Sequence, residues 1–181
     1  MKKLIITIFT ILMIFNTTAC KKKSKKKIIK PEIPPVVEFN TIKDLVAYHV
    51  KCIKNGYINA ALRSTMKKEL FIKKIFKQVD KSKDKSAYAA DVHWRTFHAG
   101  KRLWGIHKAI KRYKGKLIKL DHIGKPKEVI PFKGFSFIRR LTVFFIVQKE
   151  NGQQLSVPDN NYFGIIVKIN NKYQLLHIYW D

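Results

Sequence analysis

The densest run of side chains able to do chemistry is ADVHWRTFHAGKRLW, residues 90–104. Read as a helix, it places Trp94 and His98 one turn apart and Arg102 one turn further on. On the wall of a pocket, these three could hold an anion. Arginine offers a planar fork to a carboxylate or phosphate, histidine a tunable proton, and tryptophan a stacking surface. The same spacing also suits an ordinary amphipathic helix with its aromatics in the core and its cations in water.

The other reactive side chains are scattered. The six histidines are His49, His93, His98, His107, His122 and His177, and no two are four residues apart. His93 and His98, five apart, are expected on different helix faces. There is no two-cysteine ligand motif, so no metal site is expected, and no cofactor is implied. Asp121 and His122 are adjacent on an expected strand and should point to opposite faces, which excludes a local dyad. His177 lies between Leu176 and Ile178, on the face of Leu175 and Tyr179, and with His98 is a candidate to face a pocket. Asp91 and Tyr113 on the long helix complete the groups available for acid–base work. In FSFIRRLTVFF, strand alternation sends Arg139 and Arg140 to opposite faces, so one guanidinium should reach the packed face or its rim and need an acidic partner or ligand. Phosphate-binding loops, nucleophile elbows and dinucleotide fingerprints are absent.

The elements that must position these groups follow from hydrophobic periodicity. Asn40 or Thr41 can cap a helix over 42–54 that Asn55-Gly56 closes; Ile42, Leu45, Val46, His49, Cys52 and Ile53 form its apolar face. Cys52 therefore reads as a small core residue. Further helical stretches are expected at about 57–64 and 66–79, with a charged loop at 81–86. The longest helix should run from about 87 to 113, with Val92, Ala99, Leu103, Ile106, Ile110 and Tyr113 on one face, Gly100 and Gly105 inside it and Gly115 at its end. From Lys116 the pattern becomes β-like: 116–123, 135–149, a short 153–157, 161–169 and 172–180. Asn151-Gly152 and Asn170-Asn171 mark hairpins.

Helices first and an antiparallel sheet after them argue an α+β domain, helices packed on one face of the sheet. This order and these lengths, over about residues 40–181, resemble the NTF2-like (cystatin-superfamily) fold: N-terminal helices under a curved antiparallel sheet of four to five strands. The resemblance implies a conical pocket between sheet and long helix. It also admits an enzyme that uses pocket histidine, aspartate and tyrosine side chains.

The start of the chain reads as an address. Lys2 and Lys3 precede an apolar run from Leu4 to Phe15, too short to span a bilayer but suited to a signal peptide. Asn16-Thr17-Thr18-Ala19-Cys20 follows. This resembles the lipobox of bacterial lipoproteins, which implies cleavage after Ala19, lipidation of Cys20, and a cell-envelope protein facing periplasm or exterior. Thr17 departs from the usual leucine. Residues 20–38, with a lysine run and Pro31, Pro34 and Pro35, read as a basic tether, and the folded domain as 39–181.

The formal charge is +26. Nine of the 38 basic residues precede residue 31, so the rest of the chain holds 29 basic against 12 acidic side chains and is basic in its own right. Such charge attracts anionic lipid headgroups, envelope polymers or acidic ligands; no nucleic-acid motif is present. The sequence favours a membrane-anchored, non-catalytic binding module for an anionic ligand, an envelope polymer or a protein partner. Its rivals are an NTF2-like enzyme and a structural or assembly lipoprotein that acts through its basic surface.

Overall fold

The computed structural model describes residues 39–79 and 86–178. The expected signal peptide, Cys20 and the tether lie outside the described residues, as do residues 80–85 and 179–181.

Helix α1, Ile42–Asn55, is capped by Thr41, whose Oγ1 accepts from the Asp44 amide at 3.0 Å. It closes at Gly56, where φ is +73° and a side chain would be strained. Its buried face holds Leu45, Val46, His49, Cys52 and Ile53, as its spacing predicts. Helix α2 is Ile58–Arg63. Helix α3, Lys68–Phe71, continues through a π segment, Ile72–Phe76, into α4, Lys77–Val79. Helix α5, Ala87–Trp94, passes through a second π segment, Arg95–Ala99, into α6, Gly100–Tyr113.

The five strands are β1 Leu117–Phe132, β2 Phe135–Gln148, β3 Gln154–Asp159, β4 Ile165–Ile169 and β5 Lys172–His177. All pairings are antiparallel, in a curved, unclosed sheet ordered β1-β2-β4-β5, with β3 also on β2. The fold is α+β, helices preceding the sheet. Strand β1 runs nine residues beyond its expected end, through Gly124, Pro126 and Pro131. Its edge position tolerates prolines, and its register slips between Ile123 and Pro126.

Strand β2 is the hub. Residues Phe135 to Arg139 pair with β4 and Val143 to Gln148 with β3. Between them Arg140 takes a left-handed φ of +52°. That extra step reverses the alternation. Phe135 and Phe137 share one face with Val167 and Ile169; Ile138 and Ile166 lie on the other. After Arg140 it is the odd residues Leu141, Val143 and Phe145 that join Ile138's face.

Two cores result. One lies under α1, α2 and α6, around Phe145, Tyr162 and Phe163. The other gathers Phe71, Ile75, Phe76 and Trp94 against Phe135, Phe137 and Val167. The expectation of one covered face thus holds for the β3 half of β2, while both faces are covered at the β4 end.

The inserted residue can be tested directly. Deleting Arg140 should turn Leu141, Val143 and Phe145 outward and abolish cooperative unfolding by circular dichroism. Arg140→Asn, which accepts a left-handed backbone, should leave stability within about 0.5 kcal/mol, whereas β-branched Arg140→Val should lose roughly 1–2 kcal/mol. A deletion variant that melts like the parent would refute the phase argument.

Candidate functional site

The second π segment assembles the site. Ala90, Trp94, His98, Arg102, Ile106 and Ile110 recur every four residues and are all buried. A step of four drifts by roughly 40° on an ideal α-helix. The wider π turn absorbs the drift and holds the row on one side. The expected core face is accordingly corrected: Ile106, Ile110 and Tyr113 are buried, but Val92 and Leu103 are more than two-fifths exposed. The π turn also brings i and i+5 together, so the His93 and His98 rings approach to 5.5 Å between centroids, contrary to their expected separation.

Arg102 is the centre, only 8% exposed. One guanidinium nitrogen donates to Thr65 Oγ1 at 2.7 Å and to the Met66 carbonyl at 2.6 Å; Nε donates to the His98 carbonyl at 3.2 Å. The guanidinium carbon lies 4.3 Å from the centre of the Trp94 ring. Every one of these partners is neutral, and among the described residues no carboxylate pairs with Arg102. Burial lowers its pKa to about 10, so it remains charged at neutral pH.

Arg102 and Trp94 form one wall of an open cleft of about 560 Å³; Leu62, Arg63, Thr65, Met66, Lys67, Lys68 and Glu69 complete it. Lys68 pairs with Asp91, which also binds Arg95 at 2.7 Å, so this ion-pair group ties α3 to α5.

His98 and His177 lie behind that wall. Their rings are 5.6 Å apart and perpendicular, with Phe71 4.7 Å from His98. A bulge in β5 aims His177 here: Leu175 faces Ile166, whereas His177 faces Ile165. Both imidazoles are neutral at pH 7. Burial is the main cause, lowering His98 to about 3 and His177 to about 4, and neighbouring cations add to it.

The structure thus brings Trp94, His98, Arg102 and His177 together, with only Trp94 and Arg102 on the open cleft. Arg139 and Arg140 lie apart. Arg139 pairs with Glu128 at 3.0 Å on the surface, and both line a smaller recess with Lys127. Arg139 follows Phe135 and Phe137 on their side of the strand, half-buried at the rim with Glu128 as its acidic partner, whereas Arg140, at the phase change, is exposed. Thr65 and Met66, which hold the Arg102 fork, carry no sequence signal that would have singled them out.

The space under the bent sheet, where the NTF2-like resemblance implies a pocket, is occupied. Phe145, Tyr162, Phe163 and Leu141 fill it at 1% exposure or less. Its polar groups bind one another. Tyr162 Oη lies 2.8 Å from His49 Nδ1, and His49 Nε2 3.2 Å from Ser64 Oγ. Tyr113 donates to Asp159 at 2.8 Å. The Ser64 hydroxyl donates to the Ala61 carbonyl, so His49 donates through Nε2 and accepts from Tyr162. That tautomer leaves His49 no lone pair for activating Ser64. The Cys52 thiol beside this network is buried and pushed up to about 11, chiefly by burial, and is inert.

One excluded pair does form. A register slip at Asp121 puts Asp121 and His122 on the same side, His122 Nδ1 lying 3.1 Å from Asp121 Oδ2. Ser156 donates to that same carboxylate oxygen at 2.7 Å. The serine bonds the aspartate and not the imidazole, so no proton relay runs from serine to histidine. His122 instead stacks on Phe144, 4.0 Å between centroids.

No family model, curated protein or solved structure matches this chain. The fold and site define a helix-first α+β domain with a buried, unneutralised arginine beside a cationic cleft. No helix among the described residues is long and apolar enough to cross a membrane.

Three buried histidines set the acid response. His49, His98 and His177 have folded pKa values of about 3, 3 and 4, against about 6.5 when unfolded. Between those limits the unfolded chain binds more protons, so stability falls as pH drops from about 6.5 towards 4. Each histidine contributes a slope of up to about 1.4 kcal/mol per pH unit. The lowered carboxylates Asp91 and Asp121 act only below about pH 4. Urea midpoints at pH 7, 6 and 5 should therefore decline, less steeply in His98→Gln; a flat profile would contradict the neutral assignments.

Proposed function

We propose that this chain is an exported, lipid-anchored envelope protein whose domain is a non-catalytic binding module for an anionic ligand, seated in the Arg102 cleft. The observation that carries the reading is the state of Arg102: a buried cation with three hydrogen bonds to neutral groups and, among the described residues, no carboxylate partner. Buried charges are ordinarily paired. An anion entering the cleft would supply the missing charge, with Trp94 as a stacking wall and Arg63 and Lys67 at the rim. The helix-first order and bent five-stranded sheet support the NTF2-like reading of the scaffold. The filled interior favours this lateral cleft over the cone as the place for a ligand, and it takes support away from the rival enzyme reading.

Binding is tested with inorganic phosphate and succinate as probes, read by Trp94 fluorescence and calorimetry. Arg102→Lys keeps a charge and removes the fork. Charge-assisted hydrogen bonds contribute about 1.5–3 kcal/mol, so affinity should fall roughly tenfold to a hundredfold. Arg139→Gln, in the separate recess, should change nothing. Equal binding by Arg102→Lys and the parent would sink the assignment.

The anchor is tested separately. The parent should take up labelled palmitate and sediment with membranes, and Cys20→Ala should lose the label. Absence of label from the parent, with Cys20→Ala still membrane-bound, would remove the lipoprotein reading.

A further inference from the structure

The long helix has a second side that the domain does not bury. Tyr88, Val92, Phe97 and Trp104 are 77, 44, 47 and 46% exposed. The π segment that aligns the buried row also aligns this one. Val92 follows Tyr88 by one α turn, Phe97 follows Val92 by the five residues of a π turn, and Trp104 comes two α turns later. At 1.5 Å per residue the stripe is about 24 Å long. Lys101 is exposed beside it, and Lys108 Nζ sits 4.1 Å from the centre of the Trp104 ring. From Val92 to Leu120 the sequence has nine lysines and arginines and no aspartate or glutamate. Asp91, beside Val92, is paired with Lys68 and Arg95, and every charged side chain that follows it on the helix is positive.

We propose that this face docks on an anionic lipid surface. The helix would lie along the membrane plane, its four apolar side chains at the boundary between headgroups and acyl chains. Lys101 and Lys108 would reach the phosphates. An outward apolar stripe on a helix, containing tryptophan and phenylalanine and flanked by lysines, is the pattern of interfacial helices. A single-stranded nucleic acid would use the aromatics as stacking platforms and gain nothing from Val92. A protein groove would not require that every charge on the helix after Asp91 have one sign. Lipid uses both features, because aliphatic and aromatic groups enter the boundary while cations meet anionic headgroups. This surface goes beyond the anion cleft and needs neither it nor the Cys20 anchor: Trp94 and Arg102 lie on the opposite, buried side of the same helix.

The test uses the full chain on vesicles of phosphatidylcholine, with or without phosphatidylglycerol. The signal is the emission of Trp104, taken as the difference between the parent and Trp104→Phe. Because it reports on this face alone, attachment through any other segment does not mimic it. On phosphatidylglycerol vesicles the Trp104 signal should shift to the blue and be quenched by acyl-chain-brominated lipid. Both effects should shrink at about 1 M salt, where the screening length is about 3 Å. Most of the quenching should be lost in Val92→Ser/Phe97→Ser, whose exposed positions leave the melting profile intact. Three results would overturn the proposal: a chain that sediments with vesicles while Trp104 stays unquenched; Trp104 already blue-shifted in buffer alongside a dimer in sedimentation, which would assign the face to a second copy; or a Trp104 response to a single-stranded oligonucleotide and none to vesicles.

Discussion

Strand β2 serves two neighbours on one side, β4 and then β3, and it can do so because one residue between them breaks the alternation. At Arg140 the backbone turns left-handed. The Arg140 and Leu141 amides then donate to the Gly164 and Phe163 carbonyls in the turn before β4, at 2.8 and 3.2 Å. An unbroken strand with its odd residues inward at Phe137 would keep Leu141, Val143 and Phe145 on that same face. The core beneath α1 and α6 would then lose its largest sheet-borne side chains. Two cores on one short sheet therefore depend on a single inserted step.

The long helix solves the same problem with its own period. Five residues of π geometry reset its phase, so that Trp94, His98 and Arg102 stay on the buried side over more than two turns. The phase shifts in sheet and helix complement each other. The bulge in β5 points His177 toward the place where the π turn points His98. Away from this region the layers are joined by polar contacts in the interior. Asp159 accepts from Tyr113 on α6 and from the backbone amide of Tyr162, whose hydroxyl reaches His49 on α1. Each such group is satisfied by another element, so the contacts fix how strand, turn and helices sit against one another.

Much of this was legible in the residues. Thr41, Gly56, Gly115 and the Asn-Gly and Asn-Asn turns mark boundaries by local chemistry that tertiary context does not overrule, and the helix-to-strand switch near residue 116 is a change of period. The candidate trio Trp94, His98 and Arg102 was legible because its members are four apart. What failed has one common cause. The exposed Val92 and Leu103, the approach of His93 to His98 and the Asp121–His122 pair all arise where the chain departs from an ideal repeat. Helical and strand periodicities presuppose 3.6 and 2 residues per repeat. A π turn or a bulge adds one residue, and no residue type in RTFHA or IRRL announces it. Thr65 and Met66 were missed for a different reason: they act through a hydroxyl and a backbone carbonyl placed by tertiary packing.

Arg102 shows what those departures accomplish. Taking a guanidinium from water is costly unless hydrogen bonds and charge replace its hydration. Here the replacement is half made: oxygens of Thr65, Met66 and the His98 backbone satisfy donors, yet among the described residues no carboxylate supplies charge. Twelve acidic residues are spread through a chain with 38 basic ones; Glu69 lines the cleft without pairing with Arg102, and Asp91 is taken up by Lys68 and Arg95. A structural arginine would be cheaper as methionine or leucine, which would pack on Trp94 with no charge to desolvate. Held between Trp94, the Thr65 hydroxyl and the Met66 carbonyl, the fork has already lost side-chain freedom that binding would otherwise remove. Those two facts, an uncompensated charge and a preorganised donor, are what a site for an anion requires, and a core position requires neither.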